Sequence, residues 1–192
     1  MARLLLARLI RWFPHRHFIV VGDSGDGTSE TARLGRHHRR HLTLVSTFYR
    51  DAAVDEPPPL RTRRTIGRPR VKGRKLPSPQ AVVAHRTRRT HLAGAWDGGT
   101  TRDIEMVTGT GHWDRIGEAL VAVRWVYIHD GTGTHRDEYL STTNLSLRPQ
   151  QIVEGYTQRW SIDTTFQECR EHLKLESPKG YGQHTVFRCT PC

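Results

Sequence analysis

Four side chains in the C-terminal part of the sequence, Tyr156, Arg159, Asp163 and Arg170, follow one another at intervals of three, four and seven residues. At about 3.6 residues per turn these intervals fall on one stripe of a helix, so an acid, two guanidinium groups and a phenol face the same way. Cleavage of a phosphodiester needs carboxylates that hold divalent metal ions roughly 3.5–4 Å apart, and cations that position the non-bridging oxygens. Such a stripe could supply one metal ligand and a phosphate clamp. A second candidate acid is Asp23, which follows the apolar run Phe18–Val21 and Gly22. That pattern reads as a buried strand whose last residue projects from the sheet edge, where α/β sheets commonly place chemistry. Alone, Asp23 reads as a turn residue and Asp163 as a solvated acid; together they favour a site.

The elements that must position these residues read as follows. MARLLLARLIRWF is an amphipathic helix, since Arg3, Arg8 and Arg11 interrupt any secretory pattern. After the strand ending at Asp23, the polar segment Gly27–His41, with Thr28 as N-cap, leads into a second apolar strand at Leu42–Ser46. Pro57, Pro58 and Pro59 stop regular structure, and Leu60–Lys75 is a long basic loop containing Arg68, Arg70 and Lys72 and no acid. Beyond it, Ala81–Ala84, Ala93–Trp96, Ile104–Thr108, Leu120–His129 and Tyr139–Thr143 read as short strands, with a hairpin turn at Asp130–Gly133. From Pro149 the pattern predicts one long helix through the stripe. The chain is therefore expected to be α/β with a β-rich insertion. Three regions divide it: residues 1–47 as a partial α/β core, 48–145 as basic loop and β-rich insertion, and 146–192 as last helix and tail.

Thirty Lys and Arg against 19 Asp and Glu give a net charge of +11. Such an excess favours a polyanionic partner, because each phosphate neutralised releases condensed counterions. The basic loop would position phosphates rather than read bases. No stretch approaches the roughly 20 apolar residues a membrane span needs, so the expectation is a soluble, cytoplasmic protein. Three cysteines are too few for a disulfide framework. Cys189 and Cys192 form C-x-x-C with His184 nearby, a weak metal motif without a second pair. His37, His38 and His41 alternate with Arg36, Arg39 and Arg40 and read as a basic face. Trp96, Trp113 and Trp125 read as core or hairpin packing, and Trp160 as the apolar anchor of the helix.

The Tyr156, Arg159, Asp163, Arg170 spacing, within RWSIDTTFQE and preceded by TTNLSLRPQQIVEGY and FIVVGDSGDG, resembles the DDE-type insertion-sequence transposases with a Tyr-Arg-Glu-Lys signature. The resemblance runs from Phe18 to Tyr181. It implies a ribonuclease-H-like fold, incomplete here in its early strands, with the β-rich insertion before the last catalytic helix. It also implies three acids binding two Mg²⁺ or Mn²⁺ ions, with Asp23 as the second acid and Asp163 as the third. Tyr156, Arg159 and Arg170 would hold phosphate; beside what the resemblance implies, the charge of the basic loop makes Arg68, Arg70 and Lys72 candidate contacts to DNA phosphates. Double-stranded DNA at transposon ends and target, and a homodimer, are the implied partners.

Four departures weaken the expected catalysis. Only a helix precedes Asp23, so the first acid is missing and the chain reads as truncated. Asp163 stands where the family has Glu, a side chain shorter by one methylene, roughly 1.5 Å. Arg170 replaces Lys, and Asp26 stands where an aromatic residue is frequent. The expectation is a transposase that does not transpose DNA alone. The alternatives are a non-catalytic basic nucleic-acid-binding protein and, more weakly, a metal-binding or assembly module built on C-x-x-C and the histidines.

Overall fold

The computed structural model describes residues 2–23, 29–62, 66–86, 89–95, 101–115, 118–133 and 135–173. Within them the chain is a mixed α/β protein: five helices accompany an eight-stranded sheet containing both parallel and antiparallel pairs. Helix α1 (Ala2–Trp12) leads to strand β1 (Phe18–Gly22), helix α2 (Ser29–His37) and strand β2 (Leu42–Thr47), and β1 and β2 run parallel. This strand, helix, strand unit matches the sequence expectation; the proposed N-cap Thr28 lies outside the described residues.

The β-rich stretch does not stand apart from this unit. Strands β3 (Val54–Asp55), β4 (Lys75–Leu76), β5 (Thr90–Ala95), β6 (Thr101–Trp113), β7 (Val121–Asp130) and β8 (Glu138–Thr142) follow. Strand β8 pairs antiparallel with β2, so the sheet continues in the order β1-β2-β8-β7-β6-β3-β4, with β5 on the other part of the long β6. The β7–β8 hairpin was legible from its turn residues, but β6 is far longer than Ile104–Thr108 suggested. Glycine makes that length packable: at Gly109, opposite Trp125 on β7, an added Cβ would stand 2.6 Å from Trp125 Cζ2.

Strand β7 is buried on both sides, and its alternation assigns the layers. Val121, Val123, Trp125 and Tyr127 join one cluster with Ala32 of α2 and Val83 of helix α3 (Pro79–His85). Val126 and Ile128 join the other, with Ile152, Val153 and Tyr156 of helix α4 (Pro149–Thr157). Helices thus cover both faces, and each fully buried Ile or Val contributes about 1.5–3 kcal/mol relative to exposure. Trp113 and Trp125 are core residues, as expected; Trp96 and the side chain of Trp160 lie outside the described residues.

Two expectations are corrected. Ala81–Ala84 is helical: the Ser78 hydroxyl accepts from the Ala81 N–H at 3.3 Å and Pro79 occupies the first turn, so capping decides an apolar run too short to reveal its own period. The single long helix is two, α4 and helix α5 (Trp160–Leu173). The Thr157 hydroxyl donates to the Glu154 carbonyl at 3.1 Å, and the Arg159 N–H turns back three residues to Tyr156, a tightened turn that ends α4.

At the other margin, β1 is the outermost strand and Ile19 is exposed. The basic loop is clamped at its base, where the Glu56 N–H donates to the Arg74 carbonyl at 2.8 Å. No helix among the described residues is long and apolar enough to cross a membrane.

Candidate functional site

At the end of the sheet where β1 and β2 finish and β8 begins, a cavity of about 440 Å³ opens. Asp23 reaches it from β1, Tyr49, Arg50 and Asp51 from the turn after β2, and Arg136, Asp137 and Glu138 from the approach to β8. Four carboxylates face two guanidinium groups, so the cavity favours cations or polarised protons.

Period-two alternation explains why these groups meet. Val21 and Leu140 both pack on the α4 side of the sheet. Asp23 and Glu138 each lie two residues from one of them, Asp23 after Val21 and Glu138 before Leu140, so both fall toward α4. There Tyr156, buried at 3 % exposure, presents its phenol. Burial raises the Tyr156 pKa most; the negative charges of Glu138 and Asp23 raise it further, against the opposing charge and hydrogen bond of Arg159. The Arg159 guanidinium also lies over the Tyr156 ring, 5.5 Å from its centroid. Asp23, Tyr156 and Arg159, far apart in sequence, therefore share one sheet end.

Glu138 was not singled out in the sequence. Its side chain is only 10 % exposed, with Arg136 Nε at 3.5 Å and His135 Nε2 at 3.7 Å. The readable signal was an acid at an inward position of a strand. Its neighbour Asp137 accepts from the Tyr127 hydroxyl at 2.6 Å and sits 2.7 Å from His129 Nδ1. Burial pulls the Asp137 carboxyl upward, but the hydrogen bonds to Tyr127 and His129 outweigh it and hold it below its usual range.

The remaining sequence candidates are placed as follows. Asp163 lies on α5, beyond the break that ends α4, so the stripe is carried by two helices; its side chain lies outside the described residues. Arg170 is exposed on α5. Arg68 and Arg70 are exposed in the basic loop. Lys72 is engaged within the protein: its ammonium contacts Asp114 and lies 3.8 Å from the buried Asp55, and the hydrogen bond to Asp114 raises its pKa. His184, Cys189 and Cys192 lie outside the described residues, and Cys169 is a free thiol.

Among the described residues no three His, Cys, Asp or Glu side chains come together as a metal-holding group. Asp23 and Glu138 do not by themselves make the two-metal cage that phosphodiester cleavage requires, so no step through a metal ion follows from this geometry. The arrangement can hold a proton or a cationic group between carboxylates and can steady the Tyr156 phenol with Arg159.

No protein-family model matches this chain, and no curated protein is significantly similar to it.

Proposed function

We propose that the chain is a ribonuclease-H-like, DDE-type insertion-sequence transposase that is catalytically impaired on its own and holds double-stranded DNA without cutting it. What supports this reading is proximity: Asp23, at the carboxyl end of β1, lies near enough to Tyr156, on the helix that follows the β-rich segment, for its charge to act on the phenol. Asp23 and Tyr156 thus come from separated parts of the sequence motif and lie near one another. The net charge of +11 supports a polyanionic partner. Mg²⁺ or Mn²⁺ belongs to this reading, with Asp23 and Asp163 as the ligands the chain would offer; a homodimer on paired DNA ends and a cytoplasmic location belong to it as well.

The test is divalent-metal-dependent nicking of supercoiled DNA by the purified chain, with Asp23→Ala and Asp163→Ala beside it. Salt-sensitive DNA binding without nicking is the expected result. Metal-dependent nicking lost in both variants would establish a working site and overturn the impairment. A second reading, a basic nucleic-acid-binding protein of another lineage, is favoured by the net charge of +11, which needs no metal to hold a polyanion. It predicts that the Asp23 and Asp163 variants bind and behave as the parent does with every metal tried.

A further inference from the structure

The opposite end of the same sheet carries the reverse charge. Helix α2 ends in Arg36 and His37, and the turn that follows carries His38, Arg39, Arg40 and His41 before β2 begins at Leu42. Basic residues at a helix C-terminus are ordinarily explained by the partial negative charge of the last carbonyls and by solvation. Here the surroundings ask for more. A cavity of about 550 Å³ opens at this end, with Arg36, Arg39 and Arg40 on one wall and His112, Thr143 and Asn144 on the other, and no acid lines it. Arg36 is held in place by donating to the Leu120 carbonyl. Arg39 and Arg40 are exposed, and among the described residues neither forms an ion pair with a carboxylate.

His112 adds an independent observation. Its Nδ1 is shielded from solvent and has no hydrogen-bond partner, an arrangement that costs stability unless a ligand or water completes it. Burial and the charge of Arg36 lower its pKa, keeping the imidazole neutral. His112 lines the cleft, and a neutral imidazole carries one N–H that can donate to an anionic oxygen entering it. The scaffold is firm: Thr143 Oγ1 accepts from the Leu44 N–H at 3.1 Å, and Gly35 lets α2 approach so closely that a Cβ there would lie 3.2 Å from that oxygen.

We infer that this cleft, formed by Arg36, Arg39, Arg40 and His112, binds the phosphodiester backbone of a nucleic acid, separately from the acidic cavity at the other end of the sheet. A polymer fits better than a single phosphate because the basic surface extends beyond the cleft. His17, just before β1, lies 3.0 Å from the Arg40 carbonyl and 2.9 Å from Thr43 Oγ1, which brings the exposed Arg16 beside it. Guanidinium pairs suit phosphate because their donors match two oxygens at once. The site needs neither metal nor Asp23, so it does not depend on the transposase reading.

The experiment is anisotropy of a fluorescent 20-base-pair duplex with the full chain over a range of salt, comparing Arg39→Ala/Arg40→Ala with the charge-matched Arg33→Ala/Arg86→Ala. Circular dichroism checks that both variants fold, as exposed arginines should allow. The first pair is expected to weaken binding about 10-fold and to lower the slope of log affinity against log salt by about two, while the control changes far less. Addition of inorganic phosphate or duplex should shift the His112 imidazole resonance in NMR. Equal loss in both variants would overturn the site in favour of net charge alone. Unchanged duplex binding with loss of binding to anionic phospholipid vesicles would overturn it in favour of a membrane surface. Because nicking is read separately at Asp23, a failure of this cleft and a failure of the proposed function are told apart.

Discussion

The two ends of one sheet are chemically opposed. Where β1 and β2 finish, Asp23, Asp51, Asp137 and Glu138 line a cavity with two arginines; where β2 starts, three arginines and a neutral histidine line another with no acid. The same strands supply both, β2 and β8 touching each cavity at opposite tips. A parallel β1–β2 pair has to send its connecting chain from one end to the other, so turn residues of different composition collect at each. A polyanion is thereby attracted to one end and repelled from the other. Among the described residues the acidic cavity offers DNA only Arg50 and Arg136, which makes the basic end the stronger candidate for binding.

Reversing the basic end gives the largest effect. Arg39→Glu/Arg40→Glu is expected to reduce duplex affinity about 100-fold at low salt, since two phosphate contacts are lost and two repulsions added. Glu138→Gln at the other end should leave affinity unchanged or slightly improved. Comparable losses from both, by anisotropy, would erase the distinction between the ends.

A defect between the ends should disable both. At Gly109→Ala the new methyl would press on the ring of Trp125, which is 3 % exposed and cannot yield toward solvent. Overpacking of this kind costs about 1–3 kcal/mol, read as a lower urea midpoint. Loss of DNA binding without a shift in that midpoint would mean that β6 and β7 are not the shared support.

Much of this frame was legible in the sequence. The apolar runs of β1, β2 and β7 and the turn of the β7–β8 hairpin fixed element type and order, because strand burial and turn chemistry are local signals. Local signals failed where caps or long-range pairing decided. Ser78 and Pro79 turned a short apolar run into α3; Thr157 divided the last helix; β3 and β4 are pairs of residues that are strands only because β6 lies beside β3 and β3 beside β4. At the acidic site, Asp23, Tyr156 and Arg159 were read from their motif, whereas Glu138 was hidden because its inward direction depends on the register of β8. At the basic end the run from Arg36 to His41 was visible as a charged face, but its partner His112 arrives from β6 through non-local pairing.

Acid should weaken the protein through the basic end. The His112 pKa is depressed in the folded state, by burial first and Arg36 second. As pH falls below about 6.5 the unfolded chain takes up a proton that folded His112 refuses, so stability is present above that pH and is lost as pH falls through the folded value. His112→Gln should show a smaller drop in urea midpoint between pH 7.5 and pH 5 than the parent, and saturating duplex should shrink the parent's drop because bound phosphate favours the imidazolium. An identical pH response in variant and parent would remove His112 from this role.

The acidic end predicts a finer effect at Tyr156, whose pKa is raised by burial, then by Glu138, with Arg159 opposing and Asp23 adding to the rise. A phenol that stays protonated in the fold while the unfolded chain ionises near pH 10 costs stability only as pH rises above that value. Difference absorbance at 295 nm, with Tyr156→Phe to assign the transition, follows the phenol directly. Glu138→Gln should lower the Tyr156 pKa, Asp23→Asn should lower it by less, and Arg159→Gln should raise it. The opposite signs are the useful part, because a general loosening of the fold would let water reach the phenol and lower its pKa in all three variants. A Tyr156 transition that ignores Asp23→Asn while answering to Glu138→Gln would separate β1 from α4 electrostatically and remove the observation that joins the two parts of the motif.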